Sequence, residues 1–267
     1  MKNDSNLMKN YLLLIATVLI VSVSYGQKMK PRMVKNYWDF NSSQLRSQGY
    51  QYADDFQGET ILEHGLWKYW DRQGRLEEER NYLKGELNGK VTRYYANGKA
   101  MEQGFFKNGK QDSIFTKWHE NGEMKETGYF KEDRPIGEWK YYYSNGYHML
   151  EEKVEDSISY VHNFWKTDST QTLKNGDGRT FVYYGSTGHL QEFYTYKDGL
   201  KNGDFEEYTA AGNIFAQGQY SESEKDGNWT YWYYTGEVDR RLSYKSGVLD
   251  GDYAKNYEIG RASCRER

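Results

Sequence analysis

Five histidines, His64, His119, His148, His162 and His189, are the side chains here best suited to a transition metal, and their spacing argues against that use. No two stand four residues apart, and none belongs to the short Cys/His clusters that zinc sites use. They read as solvated strand or turn residues. The acidic runs Glu77-Glu78-Glu79 and Glu151-Glu152 lie in strand-like stretches and read as solvated carboxylates rather than an acid/base couple. Around Asn175-Gly176-Asp177-Gly178 the chain hints at a calcium loop, yet it lacks the alternating acidic ligands and closing glutamate of an EF-hand. There is no Gly-x-Ser-x-Gly elbow, and the single cysteine, Cys264, lies in an anomalous tail. The sequence therefore points to no catalytic residue, no metal ligand and no cofactor.

Aromatic side chains are the chemistry this chain does offer. They make up 17% of it, with 27 Tyr and 8 Trp, against 28% charged residues and only two prolines. The charge alone would allow disorder; the aromatic content argues for folding, because such side chains bury enough surface to offset ordering entropy. Six of them recur at one slot of a repeat: Trp70, Tyr94, Trp118, Tyr142, Tyr208 and Trp232. Two readings stay open for these candidate binding-face residues. They form the core of a thin sheet, or they line an exposed stripe that stacks on glycans or anchors a partner protein.

The element that must position them is a repeat of 24 residues. Gly65, Gly89, Gly137, Gly203, Gly227 and Gly251 lead successive units, with Ser113 in the one missed slot. A second glycine follows nine residues later, at Gly74, Gly98, Gly122, Gly146, Gly212 and Gly236. Such a period marks a repeat architecture with a long surface rather than one cleft. Each unit holds two β-prone runs split by a glycine turn, and a second turn leads to the next unit, which gives one β-hairpin per repeat. Asn97-Gly98 and Asn121-Gly122 at the first turn and Asn108-Gly109 at the second strengthen this, since both residues tolerate positive φ.

Counting from the leading residue, position two carries Trp67, Val91, Phe115, Trp139, Phe205, Trp229 and Tyr253. Position seventeen carries Tyr82, Phe106, Phe130, Val154, Tyr220 and Tyr244; position eleven carries Leu76, Ala100, Met124, Ile214 and Val238. Strand alternation predicts that positions eleven and seventeen share a face, while positions two and five face opposite sides. The expected fold is all-β: an elongated array of about eight hairpin repeats forming a continuous antiparallel sheet, with about sixteen strands spaced ~4.8 Å apart. Residues 27–64 fit the period poorly and are expected to cap it. Residues 65–158 form a first repeat block, 159–177 an inserted strand and turn, and 178–257 a second block.

The ends carry separate signals. Lys2 and Lys9 precede an apolar run over residues 11–23, and Ser24-Tyr25-Gly26 supplies small residues for processing before Gln27. This is the pattern of a signal peptide over 1–26, with Met8 opening a shorter leader of the same kind, and the run is short for a bilayer span of ~20 residues. The expected localisation is exported: periplasmic, outer-membrane-associated or extracellular, with no transmembrane segment after cleavage. A formal net charge of −3 without a basic stripe argues against a nucleic-acid partner.

The units Gly137-Glu-Trp-Lys-Tyr-Tyr-Tyr-Ser-Asn-Gly146 and Gly89-Lys-Val-Thr-Arg-Tyr-Tyr-Ala-Asn-Gly98, with connectors such as Gly104-Phe-Phe-Lys-Asn-Gly109, resemble the bacterial variant of the MORN repeat. The resemblance covers about residues 58–257. It implies a β-hairpin array that binds or scaffolds without catalysis, its partner an envelope protein or a cell-wall glycan. Members of this group are often labelled antitoxin components of toxin–antitoxin systems, a role that an exporting leader contradicts. Residues 259–267 resemble a translated sequencing adapter, so 258–267 are expected to be artefactual and the natural chain to lack cysteine.

Overall fold

Two kinds of turn alternate along the chain, and their chemistry explains the strands between them. The computed structural model describes residues 30–53, 61–251 and 254–255. The expected leader over 1–26, the tail over 258–267 with Cys264, and Tyr253 lie outside the described residues. The strands are β1 (Arg32–Tyr37), β2 (Leu45–Ala53), β3 (Ile61–Trp70), β4 (Leu76–Leu83), β5 (Glu86–Tyr94), β6 (Ala100–Lys107) and β7 (Lys110–Trp118). They continue with β8 (Met124–Lys131), β9 (Arg134–Tyr142), β10 (His148–Glu155), β11 (Ile158–Trp165), β12 (Gln171–Lys174), β13 (Asp177–Tyr183) and β14 (Leu190–Lys197). The last are β15 (Leu200–Tyr208), β16 (Ile214–Ser221), β17 (Glu224–Trp232), β18 (Val238–Lys245), β19 (Val248–Leu249) and β20 (Ala254–Lys255).

Each strand pairs antiparallel with the next from β1 to β19, and β20 also pairs with β18. Among the described residues the result is one continuous antiparallel sheet of twenty strands, an all-β array of hairpins. It exceeds the expected sixteen because residues before Gly65 supply β1, β2 and the start of β3, and the segment after Glu155 adds β11 and β12. The pairing runs unbroken through that added segment, where the turn at Gly199 donates its N–H to Gly176 O and accepts from Val161 N–H.

The second turn of each unit is a two-residue turn with both φ positive, such as Asn108 (51°) and Gly109 (78°). The first turn is longer. Tyr95 N–H donates to Lys99 O, and the Asn97 side chain accepts from Lys99 N–H, so of Asn97-Gly98 only the glycine has positive φ. At the second turn after β10, Asp156 (φ 48°) and Ser157 (φ 68°) do what Asn-Gly does elsewhere. A residue with a Cβ costs roughly 1–2 kcal/mol there, while glycine returns about 0.4–1 kcal/mol to the unfolded chain. Ser157→Gly is therefore expected to stabilise the protein by roughly 0.5–1 kcal/mol in urea unfolding; an unchanged or lower midpoint would mean the turn carries no such strain.

A bulge sits at position twelve of the units: Glu77, Met101, Lys125, Met149, Phe215 and Asp239 have no partner across the hairpin. This extra residue overturns the expectation that positions eleven and seventeen share a face. Leu76 pairs with Trp70, whereas Tyr82 pairs with Gly65 and shares a face with Trp67. Positions two, four, thirteen, fifteen and seventeen make one face, here the core face; positions three, five, eleven, fourteen and sixteen make the outer face.

A single sheet buries tryptophan on its core face by laying the ring down. At position fifteen of the preceding strand stand Gly49, Gly128 and Gly218, none with positive φ. A Cβ on any of them would lie under 3.0 Å from indole carbons of Trp67, Trp139 and Trp229 respectively. Glycine opens a slot in the sheet surface and the next unit's indole lies across it, a close approach of the kind that strand glycines mark. Trp229 is 1% exposed, with Phe205, Tyr220, Tyr231 and Tyr244 around it at centroid distances of 5.2, 5.3, 6.2 and 6.1 Å. Tyr220 and Tyr244 meet it edge-on. A ring that hides 150–250 Å² contributes roughly 4–6 kcal/mol of gross transfer free energy, which a lone hairpin lacks.

Candidate functional site

The six position-five aromatics, Trp70, Tyr94, Trp118, Tyr142, Tyr208 and Trp232, all stand on the outer face and are half-buried. Each pairs directly with the position-eleven residue of its own hairpin: Leu76, Ala100, Met124, His148, Ile214 and Val238. Their backbones have a second part to play. Tyr95 donates its hydroxyl to Trp118 O (2.7 Å), His119 Nε2 donates to Tyr142 O (2.9 Å), and Tyr184 donates to Tyr208 O (2.8 Å). Trp38 Nε1 does the same to Trp70 O from the first turn (3.1 Å). The side chain after the position-five residue thus ties one unit to the next at Tyr95, His119 and Tyr143, whereas Asp71 and Thr209 in the same place bond within their own turns. Sequence reasoning missed these ties, although Tyr95, His119 and Tyr143 recur at position six.

Polar groups near these rings shift accordingly. Burial, and a hydrogen bond donated to Glu79 Oε2 at 2.8 Å, push the Tyr94 hydroxyl up to about 12. Burial raises Tyr143 to about 12 as well, and Tyr208, which also donates to Glu206, likewise reaches about 12.

The outer face carries exposed apolar residues near the second-turn edge. Ile114 on β7 pairs with Tyr129 on β8, and Tyr129 pairs in turn with Ile136 on β9. They are 38%, 50% and 42% exposed, and Leu66 on β3 is 42% exposed. Contiguous apolar side chains on adjacent strands mark an interaction surface far better than scattered ones.

The core face is more varied. Across β4 to β8 runs a row of alternating charge. Glu78 pairs with Arg80 (2.6 Å) and Arg93 (3.2 Å), Arg93 with Glu102 (2.7 Å), and Lys117 with Glu102 and Glu126 (both 3.8 Å). Beside it lies a cavity of about 380 Å³ bordered by Leu87, Val91, Phe106 and Phe115. Farther along, the face holds two lysines over rings. Lys225 Nζ is 4.1 Å from the Trp229 centroid and donates to the Tyr231 hydroxyl at 2.9 Å; Lys201 Nζ is 3.5 Å from the Tyr194 centroid. Burial holds the Lys201 ammonium below its usual range. Both lysines sit two residues before a leading glycine, where the second unit has Leu87.

Among the described residues, no group of three or more His, Cys, Asp or Glu is placed to hold a metal, and no helix is long and apolar enough to cross a membrane. The histidines are dispersed: His64 lies against Tyr52, His119 bonds to the Tyr142 carbonyl at the end of β9, His189 to the Ala210 carbonyl of a neighbouring turn, and His148 lies between Tyr142 and Trp165.

Comparison with curated proteins finds no match. Among solved structures, a chain titled "Crystal Structure of TcdB2-TccC3-Cdc42" aligns over 76% of this chain at 12% identity, with a TM-score of 0.17. This chain covers 14% of that one, and at such a score the likeness carries no argument. Family comparison is more informative: residues 63–84, 87–108 and 111–132, each a hairpin closed by a first turn, match the MORN repeat variant, so three consecutive units of this sheet are similar to that repeat.

Proposed function

We propose that the chain is an exported, non-catalytic repeat module that docks a protein partner at the cell envelope, serving as a scaffold. The observation that carries this reading is the contiguous outer-face patch of Ile114, Tyr129 and Ile136, solvent-exposed on three adjacent strands. An apolar patch of this kind on an antiparallel sheet buries well against a second protein and gains little from a small polar solute. Export rests on the basic and apolar pattern of residues 1–26.

The test is capture from detergent-solubilised envelope, with purified cell-wall sacculi as a parallel matrix. The wild-type chain is expected to retain one stoichiometric protein. Ile114→Ser/Tyr129→Ser/Ile136→Ser is expected to lose it while melting within a few degrees of wild type, since exposed substitutions usually cost within about 0.5 kcal/mol each. Retention on sacculi alone, unaffected by the triple variant but lost in Trp118→Ala or Trp232→Ala, would replace this reading with glycan binding by the position-five rings.

A further inference from the structure

The units of this sheet form an internal series in which the same slot can be compared. Where the preceding strand offers Gly49, Gly128 or Gly218, the following unit fills the slot with Trp67, Trp139 or Trp229. In the unit led by Gly89 both partners change: Arg80 faces Val91. Arg80 does not fill the gap. Its guanidinium lies 4.8 Å over the Tyr69 ring, bonds to Glu78 at 2.6 Å and donates to the Tyr82 hydroxyl at 3.3 Å, all on β3 and β4. Valine is too short to replace an indole, and the cavity of about 380 Å³ is what remains.

We propose that this cavity is a preformed socket for a neutral aromatic side chain, tryptophan first, presented by a partner polypeptide. The shape of the missing group is set by the chain itself, which supplies an indole at the equivalent place in three other units. Val91, 9% exposed, with Leu87, Phe106 and Phe115 supplies the apolar part of the lining, and Gln111 and the paired charges of Glu78, Arg80, Arg93 and Glu102 supply the polar part. Where Lys225 and Lys201 lay an ammonium over the rings of later units, this unit has Leu87 and the next has Gln111, so the slot that carries an ammonium elsewhere brings no charge to this cavity and the Gln111 amide supplies a neutral polar group beside the apolar side chains. The ionised groups of the lining satisfy one another: Glu78 with Arg80 and Arg93, and Arg93 with Glu102. They ask for no ion in the socket. Beyond the lining the row continues with Lys117 and Glu126, and this alternation complements a polypeptide carrying both signs of charge beside its aromatic anchor. An apolar socket with a polar rim is how interface hot spots are built. The proposal deepens the protein-binding reading and rests on it, but places a contact on the opposite face.

The experiment titrates N-acetyl-tryptophanamide into the isotope-labelled chain and follows backbone amide shifts. Saturable shifts centred on Leu87, Val91 and Phe106 are expected. Arg80→Gly/Val91→Trp, which installs the glycine–indole pair of the neighbouring units, should weaken the probe at least about tenfold while the melting temperature holds or rises. Val91→Phe, with Arg80 intact, carries the same expectation should the double variant fail to fold. Absence of shifts at these amides, undiminished binding in the filled variants, or binding of chitotriose in place of the indole probe would overturn the socket. A partner captured through Ile114, Tyr129 and Ile136 but indifferent to the filled variants would remove the socket alone and leave the scaffold reading in place.

Discussion

Gly218→Ala is expected to destabilise the protein by about 3 kcal/mol or more, with Gly128→Ala close behind. A single methyl group has this effect because the added carbon would stand under 3.0 Å from the Trp229 or Trp139 ring, and ring atoms fused into an indole cannot bend aside. Either the indole leaves its slot, forfeiting burial of the kind that costs 3–5 kcal/mol in Trp→Ala changes, or the strands part. In urea the midpoint should fall with an unchanged slope, and tryptophan emission should shift to the red. Gly227→Ala supplies the contrast. A Cβ there meets nothing within 4 Å, so only its positive φ of 66° is at stake, worth roughly 1–2 kcal/mol. On a Trp229→Val background Gly218→Ala should lose most of its cost, leaving a coupling energy above about 1 kcal/mol. Additive effects would mean that the glycine serves something other than the ring.

Stability should collapse between pH 10 and pH 12. Burial raises the tyrosine hydroxyls of this sheet: Tyr94, Tyr143, Tyr196 and Tyr208 to about 12, and Tyr69, Tyr141 and Tyr194 further. An unfolded tyrosine ionises near 10. Each of these groups therefore contributes stability that is complete below pH 10 and lost as pH rises through the folded value, because the unfolded chain gives up its protons first. For Tyr196 alone the loss approaches about 2 kcal/mol, and a domain has only roughly 5–15 kcal/mol in hand. The expected observation is a cooperative loss of β circular dichroism above pH 10 that coincides with the rise of tyrosinate absorbance. Tyrosines that titrate independently near pH 10 in an intact sheet would contradict it.

Much of this architecture is written in residue types. The 24-residue glycine step, the Asn-Gly turns and the aromatic slots at positions two and seventeen lead directly to a meander of hairpins, since each has a steric or burial cause. The bulge at position twelve is silent because its occupants, among them Glu77, Met101 and Phe215, share no chemistry; only the pairing reveals it. Its silence misassigned the face of position eleven. The strained turns at Asp156-Ser157 and Glu222-Ser223 are equally hidden, since neighbouring units impose a geometry these residues do not favour. The slot glycines could have been read. Gly128 and Gly218 lie inside strands, where glycine weakens pairing unless a close neighbour requires it, and a large aromatic follows eleven residues later in each case. The gap at Val91 becomes visible only once that rule is known, as the unit where neither the glycine nor an aromatic ring occupies the pair, whereas Gly104 still faces Phe115 and Tyr194 faces Phe205.

The ties between turns have a kinetic corollary. Tyr95 reaches 23 residues ahead, His119 23, Tyr184 24 and Trp38 32, and every strand from β1 to β18 pairs with the strand that follows it. No described hairpin waits for a distant segment to close. Loop-closure entropy is therefore met in small equal steps, and the search time should depend on the length of one unit rather than on the number of units. A chain emerging N-terminus first from the ribosome could zip each hairpin onto the last as it appears, the newest strand being the one growing edge of the sheet at any moment.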